Sequence, residues 1–245
     1  MPAAIKRNIK ALCHRCGLDV RWVPPYRPYE WLNQWNIRTV LDIGANTGQF
    51  AAMIHKALPE ARIYSFEPLR DCYEQLRKNM VGILGFKAFN FALGDIAGQA
   101  EIHRNDATPS SSLLPMAELH KTAFPFTAHS EPELIEIRRL DDVVHELEIA
   151  DNLLIKIDVQ GAEDKVIRGG LGTLSRASAL VVETSFEELY EGQPLFHTIY
   201  EMLRGNGLTY MGSEQNIRNP TDGRVLQCDS VFIRRTVEDE KIHER

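Results

Sequence analysis

Cysteine is scarce in this chain, and Cys13, Cys16, Cys72 and Cys228 do not make the disulfide framework of a secreted protein. Cys13-His-Arg-Cys16 has ligand spacing, but no second C-x-x-C or H-x-x-x-H pair completes a tetrahedral zinc site, so two partly buried thiols on a helix are expected. Long apolar runs are missing as well. No stretch of about 18 apolar residues is present, and the N-terminus lacks the apolar core of a secretory signal, which predicts a soluble, cytoplasmic protein. Nor is there an excess of base: a net charge of -6 speaks against nucleic acid held by a broad basic surface, though not against a local basic patch. The G-x-G-x-x-G spacing that places a dinucleotide pyrophosphate on a helix N-terminus is also absent, which disfavours a nicotinamide oxidoreductase.

What is present is led by Val40-Leu-Asp-Ile-Gly-Ala-Asn-Thr-Gly-Gln-Phe50. Residues 39–43 are β-branched and apolar, as in a parallel strand buried on both faces, and Asp42 stands near the carboxyl end. Gly44 and Gly48 bracket Ala45, Asn46 and Thr47, so the backbone turns tightly and a ligand meets no Cβ. Phe50, Ile54 and Leu58 then recur at helical spacing before Pro59 stops the helix. A carboxylate two residues ahead of a Gly-x-x-x-Gly turn disfavours phosphate and suits a cationic ligand.

Arg62-Ile-Tyr-Ser-Phe-Glu-Pro68 is a second strand, with Glu67 at its carboxyl end, nineteen residues after Gly48. One acceptor-only carboxylate there can take both hydroxyl protons of a ribose diol; otherwise it is a solvated acid before a proline turn. A helix over 70–80 and a strand over 86–91 continue the alternation. Ala92-Leu-Gly-Asp95 leaves that strand end, where Asp95 or a backbone amide could bond the edge of an adenine, or where a simple turn suffices.

Residues 96–150 break the rhythm. Short strands over 99–103 and 134–138 flank a polar, proline-bearing stretch over 105–132, too long for a plain connection and suited to a lid or binding loop. It carries Ser110-Ser-Ser112, able to order over a substrate, and His120 and His129. Alternation resumes at Leu153-Leu-Ile-Lys-Ile-Asp-Val-Gln-Gly-Ala-Glu163, whose strand delivers Asp158 and whose Gly161 opens a helix. The strand over 179–184 then presents Glu183. Ligands of open parallel sheets bind at the carboxyl ends of strands, so Asp42, Glu67, Asp158 and Glu183 are expected along one rim. A helix over 194–206 and strands over 208–212 and 229–234 close the sheet.

With 245 residues, 44% of them hydrophobic, the chain suits one enzyme-sized α/β unit. We divide it into an N-terminal extension (1–37), a catalytic domain (38–235) with its insertion over 96–150, and a charged tail (236–245). Residues 1–18 read as a helix with Ile5, Ile9, Leu12, Cys13 and Cys16 on one side and Lys6, Arg7, Lys10 and Arg15 elsewhere. Such a helix either lies on an anionic membrane surface or packs on the catalytic domain. The cluster Trp22, Pro24, Pro25, Tyr26, Pro28, Tyr29, Trp31 and Trp35 is an irregular connection that lines a substrate mouth or simply packs.

Taken together, Leu41-Asp-Ile-Gly-Ala-Asn-Thr-Gly-Gln49, Phe66-Glu-Pro68, Ala92-Leu-Gly-Asp95, Ser110-Ser-Ser112, Leu140-Asp-Asp142 and Ile157-Asp-Val-Gln-Gly-Ala-Glu163 resemble the FkbM family of class I S-adenosylmethionine-dependent methyltransferases, over about residues 38–234. The resemblance implies a Rossmann-like, doubly wound, mostly parallel seven-stranded sheet with its last strand antiparallel, and methylation of hydroxyls on sugars, glycans or natural products. By motif position it implies that Asp42, Gly44, Asn46, Gly48, Gln49 and Phe50 surround the methionine part of the cofactor. Glu67 and Pro68 then meet the ribose, and Leu93 and Asp95 the adenine, while Asp158 closes the site. Gln160 departs from the pattern, which usually has Glu there.

A hydroxyl is a poor nucleophile at neutral pH, so its proton must pass to a base or a metal must lower its pKa. Asp158 and Glu183 are the first catalytic candidates, as base and orienting group or as joint ligands of a divalent cation. A helix cap is the plain role for Asp158. His120, His129 and His197 are weaker candidates. An N-methyltransferase acting on an amine, or a non-catalytic protein that binds the cofactor, remains open.

Overall fold

The computed structural model describes residues 3–19 and 28–234. Among them ten strands run in chain order: β1 (Thr39–Ile43), β2 (Arg62–Phe66), β3 (Phe86–Phe89), β4 (Ala92–Gly94), β5 (Gly98–Asn105), β6 (Ser130–Arg139), β7 (Leu153–Ile157), β8 (Ala177–Ser185), β9 (Thr209–Arg218) and β10 (Val225–Ile233). The helices are α1 (Ala3–Arg15), α2 (Gln49–Ala57), α3 (Arg70–Asn79), α4 (Glu118–Ala123), α5 (Leu140–Val143), α6 (Glu163–Gly169), α7 (Leu171–Leu174) and α8 (Phe196–Gly205).

Seven strands form the main sheet in the order β3-β2-β1-β7-β8-β10-β9. All its pairings are parallel except those of β10, which runs antiparallel to β8 and β9. Every residue of β1 and β7 is buried, because these central strands carry helices on both faces and so need apolar side chains on both. One core joins Leu41, Ile43, Ile155 and Ile157 to Val166 and Ile167 of α6 and Leu203 of α8. The other joins Val40, Ile63 and Leu154 to Ile54 of α2 and Leu76 of α3. Because the chain order reverses between β1 and β7, the crossovers diverge there and open a crevice at the strands' carboxyl ends.

The strand expected over 86–91 ends two residues early, and the segment expected only to leave its end is a strand of its own. Phe86–Phe89 stays in the main sheet, while Ala92–Gly94 leaves it as β4 and pairs in parallel with β6. With β5 antiparallel to β6, this makes a second sheet, β4-β6-β5. The expected short strands over 99–103 and 134–138 are its longer members β5 and β6. Between them lies not a bare loop but a 3-10 turn at Thr108–Ser110, α4, and a second 3-10 turn at Pro125–Thr127. β9 is likewise longer than expected, reaching Arg218 through register shifts against β10.

Of the aromatic cluster, Trp22, Pro24, Pro25 and Tyr26 lie outside the described residues, as does the tail over 236–245. Tyr29 is buried edge-on to Phe50, with ring centroids 5.4 Å apart, and Trp31 and Trp35 pack on the core that includes α2. The packing role therefore holds for these three. Cys13 is half-buried and Cys16 exposed.

Candidate active site

The glycine turn is shaped first by its own backbone neighbours. Gly44 has φ 80°, and a Cβ on it would lie 1.8 Å from the Asp158 carbonyl oxygen. Glycine is thus required for the ends of β1 and β7 to meet. Gly48, at φ 94°, has no place in the cavity wall; a Cβ there would lie 2.8 Å from the Leu76 side chain, so it lets α2 start close against α3. Asn46 also takes a left-handed φ of 47°.

Glu67 ties this turn to β2. Its Oε2 accepts the Asn46 backbone N–H at 2.8 Å and its Oε1 accepts that of Leu69 at 2.9 Å. Burial pushes its carboxyl up to about 7 against those two hydrogen bonds. Asn46 in turn donates from Nδ2 to Thr108 Oγ1 at 3.1 Å, coupling the turn to the inserted segment.

A cavity of about 910 Å³ opens at the carboxyl ends of these strands, within the range of small-ligand sites. Gly44, Asn46, Gln49, Phe50, Glu67, Pro68, Leu93, Asp158 and Glu183 all line it. Asp42 does not. It is fully buried within β1, accepts Ser65 Oγ at 2.9 Å through Oδ2, and leaves Oδ1 without a partner. Burial raises its carboxyl to about 6 despite the nearby Lys156. Asp95 is also absent from the wall. β4 packs against α6, where Arg168 Nε holds Asp95 at 3.3 Å, so only Ala92 and Leu93 of that motif face the cavity.

Around the ends of β7 and β8 the cavity wall is a connected polar network. Lys156 Nζ donates to Asp158 Oδ2 at 2.7 Å and lies 5.4 Å from the Phe50 ring centre. The Gln160 amide nitrogen donates to Asp158 Oδ1 at 2.8 Å and to Glu183 Oε2 at 2.5 Å, while its oxygen accepts the Tyr190 hydroxyl at 2.8 Å. Gln227 Nε2 donates to the remaining oxygen, Oε1, of Glu183.

Burial alone would raise Asp158, but the Lys156 charge and the donated hydrogen bonds hold it below the usual carboxylate range. Burial and the charge of Asp158 together push Glu183 well above that range. Lys156, which burial would deprotonate, is held charged by Asp158, Asp229 and Asp42. The two acids are thus pushed in opposite directions, the separation that acid–base chemistry uses. The space between the two carboxylates, where a shared cation was an option, is bridged by the Gln160 amide. Among the described residues no group of three or more His, Cys, Asp and Glu side chains converges as a metal site.

The serine run mostly ties the insertion together. Ser111 Oγ accepts the Asn105 backbone N–H, and Ser112 Oγ donates to the Gln160 carbonyl; only Ser110 and Ser111 reach the cavity. His120 of α4 lines the cavity, 5% exposed, edge-on to Tyr190, with Nδ1 unpartnered; burial lowers its pKa. His129 and His197 are exposed and away from the cavity. Sequence reasoning missed Lys156, Tyr190, Gln227 and Asp229. The signal for Lys156 was legible, a lone cation inside an apolar buried strand, whereas the β10 residues follow only from the pairing of β10 with β8.

The strand order, the single antiparallel strand and a cavity at this rim define a class I methyltransferase fold. A solved structure titled Methyltransferase FkbM from Methylobacillus flagellatus KT shares it, with a TM-score of 0.52 at 15% identity over 81% of this chain. The present chain spans 44% of that one. At the level of sequence, the profile of the methyltransferase FkbM domain matches residues 42–210, and the chain belongs to the FkbM family of S-adenosylmethionine-dependent methyltransferases. It is 32% identical over 170 residues to the 2-O-methyltransferase NoeI of Sinorhizobium fredii, covering 67% of this chain and 70% of that one. It is 26% identical over 197 residues to the 31-O-demethyl-FK506 methyltransferase FkbM of Streptomyces tacrolimicus, covering 71% and 74%. No helix among the described residues is long and apolar enough to cross a membrane.

Proposed function

We propose that this chain transfers the methyl group of S-adenosylmethionine to a hydroxyl of a neutral, hydroxyl-rich acceptor, a sugar, glycan or natural product. The observation that carries this reading is the cavity lining. Lys156 is the sole Lys or Arg in it among the described residues, and it is already held by Asp158, so no Lys or Arg there is left to pair with an anionic acceptor. Around it stand neutral amides and hydroxyls (Gln160, Gln215, Asn216, Gln227, Thr108, Ser110) and the aromatic rings of Phe124 and Phe126. These are hydrogen-bonding partners for hydroxyls and flat faces for a sugar ring. The O-methyltransferase names of two relatives agree with an oxygen acceptor.

On this reading Gly44, Asn46, Gln49 and Phe50 hold the methionine part of the cofactor, with Asp42 supplying negative charge from below. Glu67, beside Pro68, uses its remaining lone pairs for the ribose hydroxyls, and Leu93 packs against the adenine. The methyl group passes in line from sulfonium to oxygen, so positioning supplies much of the rate. Asp158, kept ionised, accepts the hydroxyl proton; Glu183, Gln160 and Tyr190 orient the acceptor. The acidic lining also favours a second class of acceptor, an amine.

Methyl-labelled S-adenosylmethionine incubated with a panel of methyl glycosides, and separately of primary amines, tests this. Label in the glycosides supports the reading. Label in the amines alone contradicts it.

A further inference from the structure

α1 carries an apolar stripe left exposed among the described residues. Ile5, Ile9 and Leu12 follow one another at helical spacing on one face and remain 45%, 40% and 66% exposed. Leu18, just past the helix, is 60% exposed. By helical position, Lys6 borders one side of the stripe and Arg15 the other, with Lys10 and Arg7 farther round on the polar face; α1 contains no acidic residue.

Four surfaces could cover such a helix. Packing on the catalytic body would bury Ile5, Ile9 and Leu12, and they are exposed. A second copy would bring two basic stripes together, and so few side chains fall well short of the roughly 800 Å² per partner of a stable interface. Nucleic acid would pair with the bases and leave the stripe in water. An anionic bilayer satisfies both faces at once, the acyl boundary taking the apolar side chains and the headgroups taking the bases.

We propose that α1 is a reversible attachment element that brings this methyltransferase to anionic membrane surfaces. The rest of the chain is more acidic than the net charge of -6. The bilayer therefore repels the body, and α1 is the point of contact. Binding by one short helix is weak and salt-sensitive.

Flotation of the full chain with vesicles tests this, using phosphatidylcholine alone and phosphatidylcholine with a third phosphatidylglycerol. The wild type is expected to float with the anionic vesicles only and to be released by high salt. Lys10→Gln with Arg15→Gln should weaken binding roughly fivefold per base removed, and Leu12→Ser should also release the protein. The thermal shift with S-adenosylhomocysteine, read separately on each variant, should equal that of the wild type and so report an intact fold whether or not the acceptor reading holds. Four results overturn the proposal: no flotation of folded wild type, equal flotation with neutral vesicles, Leu12→Ser floating like the wild type, or a solution dimer that Leu12→Ser dissolves.

Discussion

Lys156 holds its ammonium 2.7 Å from the Asp158 carboxylate where β7 ends. The two residues are two apart on extended backbone and so share a face, and the lysine is itself buried among Asp42, Asp158 and Asp229. This pairing keeps Asp158 charged at neutral pH despite its burial. It leaves Asp158 the ionised carboxylate of the pair, while burial and the charge of Asp158 push Glu183 the other way.

Asp158→Asn retains the side-chain shape and removes the base. Its kcat on a hydroxyl acceptor is expected to fall by about 10² to 10⁴, with S-adenosylhomocysteine affinity nearly unchanged. Lys156→Met removes the charge that keeps Asp158 low, so the acidic limb of the kcat profile should move to higher pH. Steady-state kinetics across pH on both variants check this. Unchanged turnover in Asp158→Asn would shift the role to His120, which also lines the cavity.

Glu67 sets a pH dependence for both stability and cofactor binding. Its carboxyl titrates at about 7 in the fold and near 4.5 when unperturbed. Between those values the folded chain holds a proton that the unfolded chain has released. The stability this contributes is complete below 4.5 and is lost as pH rises through about 7. On the proposed reading the ribose is held by the ionised form, so S-adenosylhomocysteine affinity should instead climb with pH up to about 7 and then level off. Glu67→Gln should flatten both slopes, as read by thermal melts and calorimetry at pH 5 to 8 (about this span).

Gly44→Ala should destabilise the fold by more than ~3 kcal/mol, because its Cβ meets backbone rather than a movable side chain. Chemical denaturation measures this. Gly192→Ala has open space around its Cβ and shares a positive φ, so it isolates the conformational part of the cost.

Gln160→Glu would place a third carboxylate between Asp158 and Glu183. The variant should melt lower than the wild type at pH 8 (about four units above the ordinary carboxylate range) and should recover on addition of calcium or manganese. The wild type, whose amide bridges the pair, should show no such recovery.

Much of this fold was legible because each central strand is a short apolar run ending in an acid and a turn. β1 was read with its observed limits, and the rim of Glu67, Asp158 and Glu183 follows from strand ends alone. The second sheet was less legible. β4 is three residues long, and its partner β6 lies far along the chain, so no local pattern marks its departure from β3. Asp42 and Asp95, expected from their strand ends to adjoin the cofactor, stand outside the cavity wall, because sequence tells which end of a strand an acid occupies, not the direction its side chain takes. Burial turns Asp42 inward, and Arg168 draws Asp95 toward α6. Gly44 was read as making room for a ligand, whereas the closer neighbour is the Asp158 carbonyl.

The most direct test of the central claim is the thermal midpoint of the wild type and of Glu67→Ala with saturating S-adenosylhomocysteine, with NAD as control. A ligand at about 100 times its dissociation constant stabilises by roughly 2.7 kcal/mol, which for a chain of this size raises the midpoint by about 5–10 °C. The account predicts that rise for the wild type with S-adenosylhomocysteine only, and its loss in a folded Glu67→Ala. A folded wild type that shows no rise, or a Glu67→Ala variant that shows the full rise, would contradict it.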